Sequence, residues 1–218
     1  SPSCGIKDVR VYPQSEKGIP SQKGVGLFAR AVLERFSDLP IEDEGRLTNL
    51  AVREHFLTRL FTLVAFRELK SGGTMDELVH FHARNKLLLM AHNQQKMRVM
   101  GRIVANQERK ATQDVYREYE SHLRQAMSRP ARMGSVINVL MHALGYFKGG
   151  LSSAEKAFFL DCLEDYRAGR VPMSVPTGII RSWIVRFGEE YLADQTFFAP
   201  YPEDLIQMTD SGKGRKIQ

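Results

Sequence analysis

Cysteine is scarce in this sequence: only Cys4 and Cys162 are present, so a framework of several disulfides, the usual staple of small secreted domains, has no material here. No apolar run approaches the roughly 20 residues that a membrane-crossing helix needs. A charged-then-apolar leader with a small-residue cleavage site is also missing, which makes a reducing cytoplasm the expected compartment. The sequence contains no Walker loop, no GxGxxG, no HExxH and no serine-nucleophile elbow, and those enzyme classes lose their most direct support.

What is present is ordinary in amount and uneven in charge. The 218 residues are 43% hydrophobic and 26% charged, enough for one good-sized core or one domain plus a piece of another. A formal charge of +6 and a pI near 9.4 favour an anionic partner, nucleic acid first. The chain opens on Ser1-Pro2-Ser3-Cys4-Gly5, which reads like the interior of a domain, so an upstream segment is expected.

Residues 1–46 are punctuated by turn formers, among them Gly5, Pro13, Gly18, Pro20, Gly24 and Pro40, around short apolar pieces such as Val9 to Tyr12. They read as a strand, a loop and one helix from about Gly26 to Phe36, on which Leu27, Phe28, Ala31, Val32 and Phe36 recur at helical spacing. The acidic Glu42-Asp43-Glu44-Gly45 marks a boundary. From Leu47 onward the period is helical, with Leu47, Leu50, Ala51, Leu57, Leu60, Phe61 and Val64 predicted to line one face. Thr74 with Glu77, and Ser152 with Glu155, have the form that satisfies the orphan amides of a helix start. Further helices are predicted near 95–109, 112–128 and 132–147. A long last one is predicted near 176–197, striped by Ile180, Trp183, Ile184, Phe187 and Tyr191 and closed by Pro200 and Pro202. The tail, 208–218, is basic and expected to be disordered.

Cys4 stands in a turn beside Gly5 that would present a thiolate outward, a position suited to a metal ligand, although one cysteine without a second nearby is also compatible with an incidental thiol. Cys162 aligns with Phe158, Phe159, Leu163 and Tyr166 and should face the core as a small hydrophobe. His80 and His82, two apart, fall on different helix faces and do not indicate a helical zinc site. Arg98, Arg102 and Arg109, at offsets of four and seven, would form one stripe on a helix: either a phosphate track giving salt-sensitive, sequence-blind affinity, or a solvated face. Arg117 and Arg124, interleaved with Glu118 and Glu120, read as a solvated face. His142, one turn from Tyr146 and near Lys148, suits either a phosphate or base contact or a structural hydrogen bond. Tyr201 is expected to pack back on the bundle.

Two stretches carry a resemblance. Residues 1–46, through SPSCG, Tyr12, Gly18 and GVGLFARAVLERF, resemble the end of a thiouracil desulfidase (TudS-like) domain, an α/β iron-sulfur enzyme. Residues 47–207, through FHARNKLLLMAH, MGRIVAN, MHALGYFKGGLSSAEKAFFL, DYRAGRVP and QTFFAPYPEDL, resemble the all-α YbgA-like domain often fused behind it. The fold class expected is therefore mainly α, a helical bundle preceded by a short α/β remnant. The resemblance implies that Cys4 is one of three cysteine ligands to a four-iron, four-sulfur (4Fe-4S) cluster with one open iron. That iron would take the thiocarbonyl sulfur while water attacks the ring carbon. It further implies 4-thiouridine in tRNA as substrate, presented out of its stack, with the helical part holding the RNA.

The two other cysteine motifs of that family are absent from these residues, so the chain alone is expected to hold no cluster and to be inactive without the missing N-terminal part of the desulfidase domain. Binding roles toward phosphate or base edges are carried by the resemblance onto Arg84, Lys86, Arg98, Arg102, His142, Lys148 and Lys156. Lys148 and Lys156 flank the Gly149-Gly150 turn before Ser152, where free amides would favour an anion or, alternatively, Glu155 would close a capped hairpin. The rival to RNA binding is a helical interaction domain that docks on the iron-sulfur domain through an exposed apolar patch. A stand-alone enzyme within the bundle has little motif support.

Overall fold

A computed structural model describes residues 4–7, 9–11, 21–37 and 39–206. They are mainly α-helical, and the chain divides into two compact units, Ser1–Leu60 and Phe61–Gln218. The predicted tail, 208–218, lies outside the described residues, as do Tyr12 and Gly18.

In the first unit β1 (Val9–Val11) and β2 (Ser21–Gly24) pair antiparallel, Val9 opposite Gly24 and Val11 opposite Ser21, with an irregularity between them. The predicted helix of 26–36 is α1 (Leu27–Arg35), with Gly26 and Phe36 as its caps. Its burial differs from the expectation. Ala29 is the buried residue, while Leu27 and Phe28 are 81% and 64% exposed. The acidic stretch is a cap as well as a boundary. Asp43 Oδ1 accepts the Arg46 amide at 2.8 Å to start α2 (Glu44–Leu47), and its Oδ2 accepts the Ile6 amide at 3.2 Å. α3 (Leu50–Lys70) follows and passes through the boundary between the units.

The apolar face expected on 47–64 is only half-buried or exposed, and the buried positions of α3 are Thr58, Thr62 and Phe66. Threonine can sit on an inward helix face because its hydroxyl reaches the backbone one turn earlier, an option that hydrophobic periodicity does not register.

The second unit continues with α4 (Met75–Arg84), α5 (Lys86–Ala105), α6 (Thr112–Ala126), α7 (Met133–Tyr146), α8 (Ser153–Arg167), α9 (Ser174–Phe187) and α10 (Glu190–Ala193). Short 3-10 turns follow at Thr196–Phe198 and Glu203–Ile206. α5 is the centre: it packs on α4, α6, α7 and the turn at Thr196–Phe198, and Leu87 through Ala91 are all buried. Both capping boxes form as predicted. Thr74 N donates to Glu77 Oε2 at 2.7 Å, and Ser152 N to Glu155 Oε2 at 2.8 Å. Cys162 is buried, and desolvation pushes its thiol up.

Two helices depart from the sequence expectation. The piece predicted near 95–109 is the second half of α5. At Asn93 the backbone leaves helical angles (φ −160°, ψ 91°), and Asn93 Oδ1 accepts the Lys96 amide at 3.0 Å, so the second half starts with its own cap. It ends at left-handed Asn106 (φ 41°), which places Arg109 beyond the helix and off the expected stripe. The long helix predicted near 176–197 stops at Phe187 because Gly188 turns left-handed (φ 62°), a conformation open to glycine without strain. Tyr191 therefore stands on α10, stacked on Tyr146 with ring centres 5.3 Å apart.

Candidate nucleic-acid interface

Residues 78–107 contain no Asp or Glu, and they carry Arg84, Lys86, Lys96, Arg98 and Arg102. Nearly all of this segment is α4, the α4–α5 joint and α5. The two arginines of the second half of α5 are both exposed and, four residues apart, lie one above the other on the helix. Lys96, which sequence reasoning passed over, reaches across to α6: its Nζ donates to Gln125 Oε1 at 2.6 Å and lies 3.2 Å from His122 Nδ1. Both partners lack a carboxylate, so the positive charge is held in place without being paired.

The contrast with α6 decides which helix can address a polyanion. There Arg117 is paired with Asp114, and Arg124 and Lys70 both engage Glu120. Such pairs are already locally neutral and offer little counterion release.

The other sequence-nominated residues are scattered. Arg84 is exposed, and its Nε lies 2.8 Å from Asp194 Oδ1, so it is partly neutralised. Lys86, across Asn85 from it, is exposed. His142 is exposed on α7. Lys148 is exposed, but Lys156 donates its Nζ to the Lys148 carbonyl at 2.8 Å, and Glu155 occupies the Ser152 amide while also pairing with Arg186. Those bonds, first to the Ser152 amide and hydroxyl and then to Arg186, hold the Glu155 carboxyl down to about 2. The Gly149-Gly150 turn is thus closed by its own side chains in the manner of a capped hairpin.

The joint that carries Arg84 and Lys86 is fixed from a distance in sequence. Buried Gln195 accepts the Leu87 amide at 3.1 Å and donates to the Ala83 carbonyl at 2.9 Å. Thr196 Oγ1 donates to Asn85 Oδ1 at 2.8 Å, and Asn85 Nδ2 donates to the Phe81 carbonyl at 2.8 Å. Nothing in the local pattern around Gln195 marks this role.

His82, on the inner side of α4, places Nδ1 3.2 Å from the Tyr119 hydroxyl, and burial with the Lys86 charge lowers its pKa to about 4. The neutral ring is what the fold accepts. The unfolded chain therefore takes up a proton first, near the ordinary value of about 6.5. Its stabilising contribution is complete above that value and is lost as pH falls through about 4. His92, half-buried and with Nδ1 3.0 Å from the Leu88 carbonyl, is shifted the same way by desolvation. Urea midpoints are expected to fall between pH 7 and pH 4.5, with a shallower fall in His82→Gln. Identical pH profiles for the two proteins would refute the assignment.

The cluster implied by the desulfidase resemblance does not fit this chain alone. Cys4 is one exposed thiol, Cys162 is buried in α8, and among the described residues no group of three or more His, Cys, Asp or Glu side chains is gathered to hold a metal ion. Among the described residues no helix is long and apolar enough to cross a membrane.

Comparison with known proteins agrees with the helical unit. The chain is 31% identical over 158 residues to the uncharacterized protein YbgA of Escherichia coli (strain K12), an alignment covering 72% of this chain and 93% of that protein. No solved structure matches. Residues 86–202, from the start of α5 to Pro202, match the family described as protein of unknown function DUF1722. With α5, its capped kink and Gln195 all inside the matched stretch, this chain belongs to the DUF1722 family and contains a YbgA-like helical domain.

Proposed function

We propose that this chain is the RNA-holding helical part of a desulfidase that converts 4-thiouridine to uridine in tRNA, the iron-sulfur chemistry residing in a cysteine-bearing region to which Cys4 contributes one ligand. The observation that carries the RNA part is the carboxylate-free run 78–107 with exposed Arg98 and Arg102 one turn apart on α5. A cation-only helix face displaces counterions from a phosphate backbone and reads no sequence, which suits a protein that must hold a folded tRNA. The desulfidase part rests on the resemblance of residues 1–46.

The test is equilibrium binding of tRNA at two salt concentrations. Phosphate contacts by Arg98 and Arg102 predict that affinity falls roughly tenfold between 50 and 200 mM monovalent salt. Equal affinity at both, or no binding at either, sinks the electrostatic reading. That outcome would favour the docking alternative, for which the motivating observation is Val185, 84% exposed on α9 beside a groove of about 480 Å³ lined by Gly178, Ile184 and Phe198.

A further inference from the structure

Within the second unit, α3, α4 and the stretch 196–202 line a half-open cavity of about 890 Å³, within the size range of small-molecule sites. Its apolar walls include Phe61, Phe81 and Tyr201, and its carboxylates are Glu68 and Glu77. His80 and Arg84 line the α4 side, but the Arg84 guanidinium is paired with Asp194. The cavity is therefore electronegative in a chain whose formal charge is +6. Glu77 stays ionised, since the Thr74 amide and hydroxyl hold its carboxyl below the ordinary range.

Charge complementarity narrows the occupant. Phosphate-bearing ligands meet two carboxylates and are repelled, which separates this cavity from the RNA reading of α5. A wholly apolar ligand would strip water from the carboxylates and return no partner. Hard divalent cations demand six or more oxygen ligands, and aromatic walls do not supply them. An organic cation with an aliphatic body satisfies both halves of the lining: ammonium groups meet the carboxylates, methylenes lie against the rings, and a cation over an aromatic face gains further.

We propose that this cavity binds a linear aliphatic polyamine, with Glu68 and Glu77 taking its ammonium groups and Phe61, Phe81 and Tyr201 packing its methylenes. The proposal is independent of the RNA function.

Calorimetric titration of the intact chain with spermidine tests it, with propylamine and an uncharged diol as controls. Spermidine is expected to bind at least tenfold more tightly than propylamine, and the diol not at all. Glu68→Gln, at an exposed position, is expected to weaken spermidine at least tenfold while leaving tRNA affinity at fixed salt unchanged. Glu77→Gln weakens it similarly with the helix start intact, because glutamine at that position can still close the capping box. No heat of binding, or spermidine affinity unaltered in Glu68→Gln, overturns the proposal. So does an arginine-bearing peptide that binds in this cavity where spermidine does not.

Discussion

Replacing Arg98 and Arg102 together with alanine is expected to weaken tRNA binding roughly 25- to 60-fold at 0.1 M monovalent salt. Each phosphate contact contributes a slope of about 0.7 to 0.9 in log affinity against log salt, depending on whether the strand is single or paired. At 0.1 M that is a factor of about five to eight per contact, and two contacts multiply. The slope itself should flatten by about 1.4 to 1.8. Both side chains are exposed on α5, and alanine favours helix, so the melting temperature should hold and the loss can be assigned to the interface. Arg117→Ala is the matched control. Its guanidinium is already paired with Asp114, and tRNA affinity should change by less than about twofold. If the double variant binds as the parent does, with the same salt slope, the helix is a solvated face and the RNA reading of α5 fails.

The parts of this fold that were legible in the sequence are those whose physics is local. Thr74 with Glu77 and Ser152 with Glu155 announce their helix starts because both partners of each bond lie within one turn. Cys162 could be placed in the core from its neighbours at helical intervals, and Arg117 and Arg124 could be read as a charged face because acidic residues alternate with them along α6. Apolar periodicity misled where another force ended or split a helix. Gly188 stops α9 although the apolar stripe runs on to Tyr191, and the signal, a glycine just past a helix, was in view.

Nothing local marks Asn93 as a break, since asparagine also sits in unbroken helices. For the same reason the nominated cations could not be ranked. The partner of Arg84 is Asp194, and the joint beside it depends on Gln195, 108 residues from Leu87. Long-range pairs of this kind decide which of several similar arginines keeps its charge available, and only the fold brings them together.

One buried ring ties three helices of that fold together. Phe66, 1% exposed on α3, lies 5.4 Å from the Tyr119 ring in a stacked arrangement and 5.5 Å from Phe81 edge-on, with Tyr116 at 5.9 Å. It thereby joins α3 to α4 and α6, the latter two packed directly on α5. Phe66→Ala removes the ring and leaves a void that the two tyrosines cannot close, because each is held elsewhere. Tyr116 donates to the Thr74 carbonyl at 2.8 Å, and Tyr119 is bonded to His82.

The expected loss is about 3–5 kcal/mol in urea unfolding, the range for buried aromatics, with the aromatic pairing adding to the transfer and cavity contributions. Phe66→Leu, which keeps most of the volume and loses the ring contacts, should fall between the two proteins. A loss under about 1.5 kcal/mol for the alanine variant would mean that the cluster collapses around the void and does not set the position of α4 against α6. The orientation of α5, and with it the direction in which Arg98 and Arg102 point, would then have to come from the Gln195 joint instead.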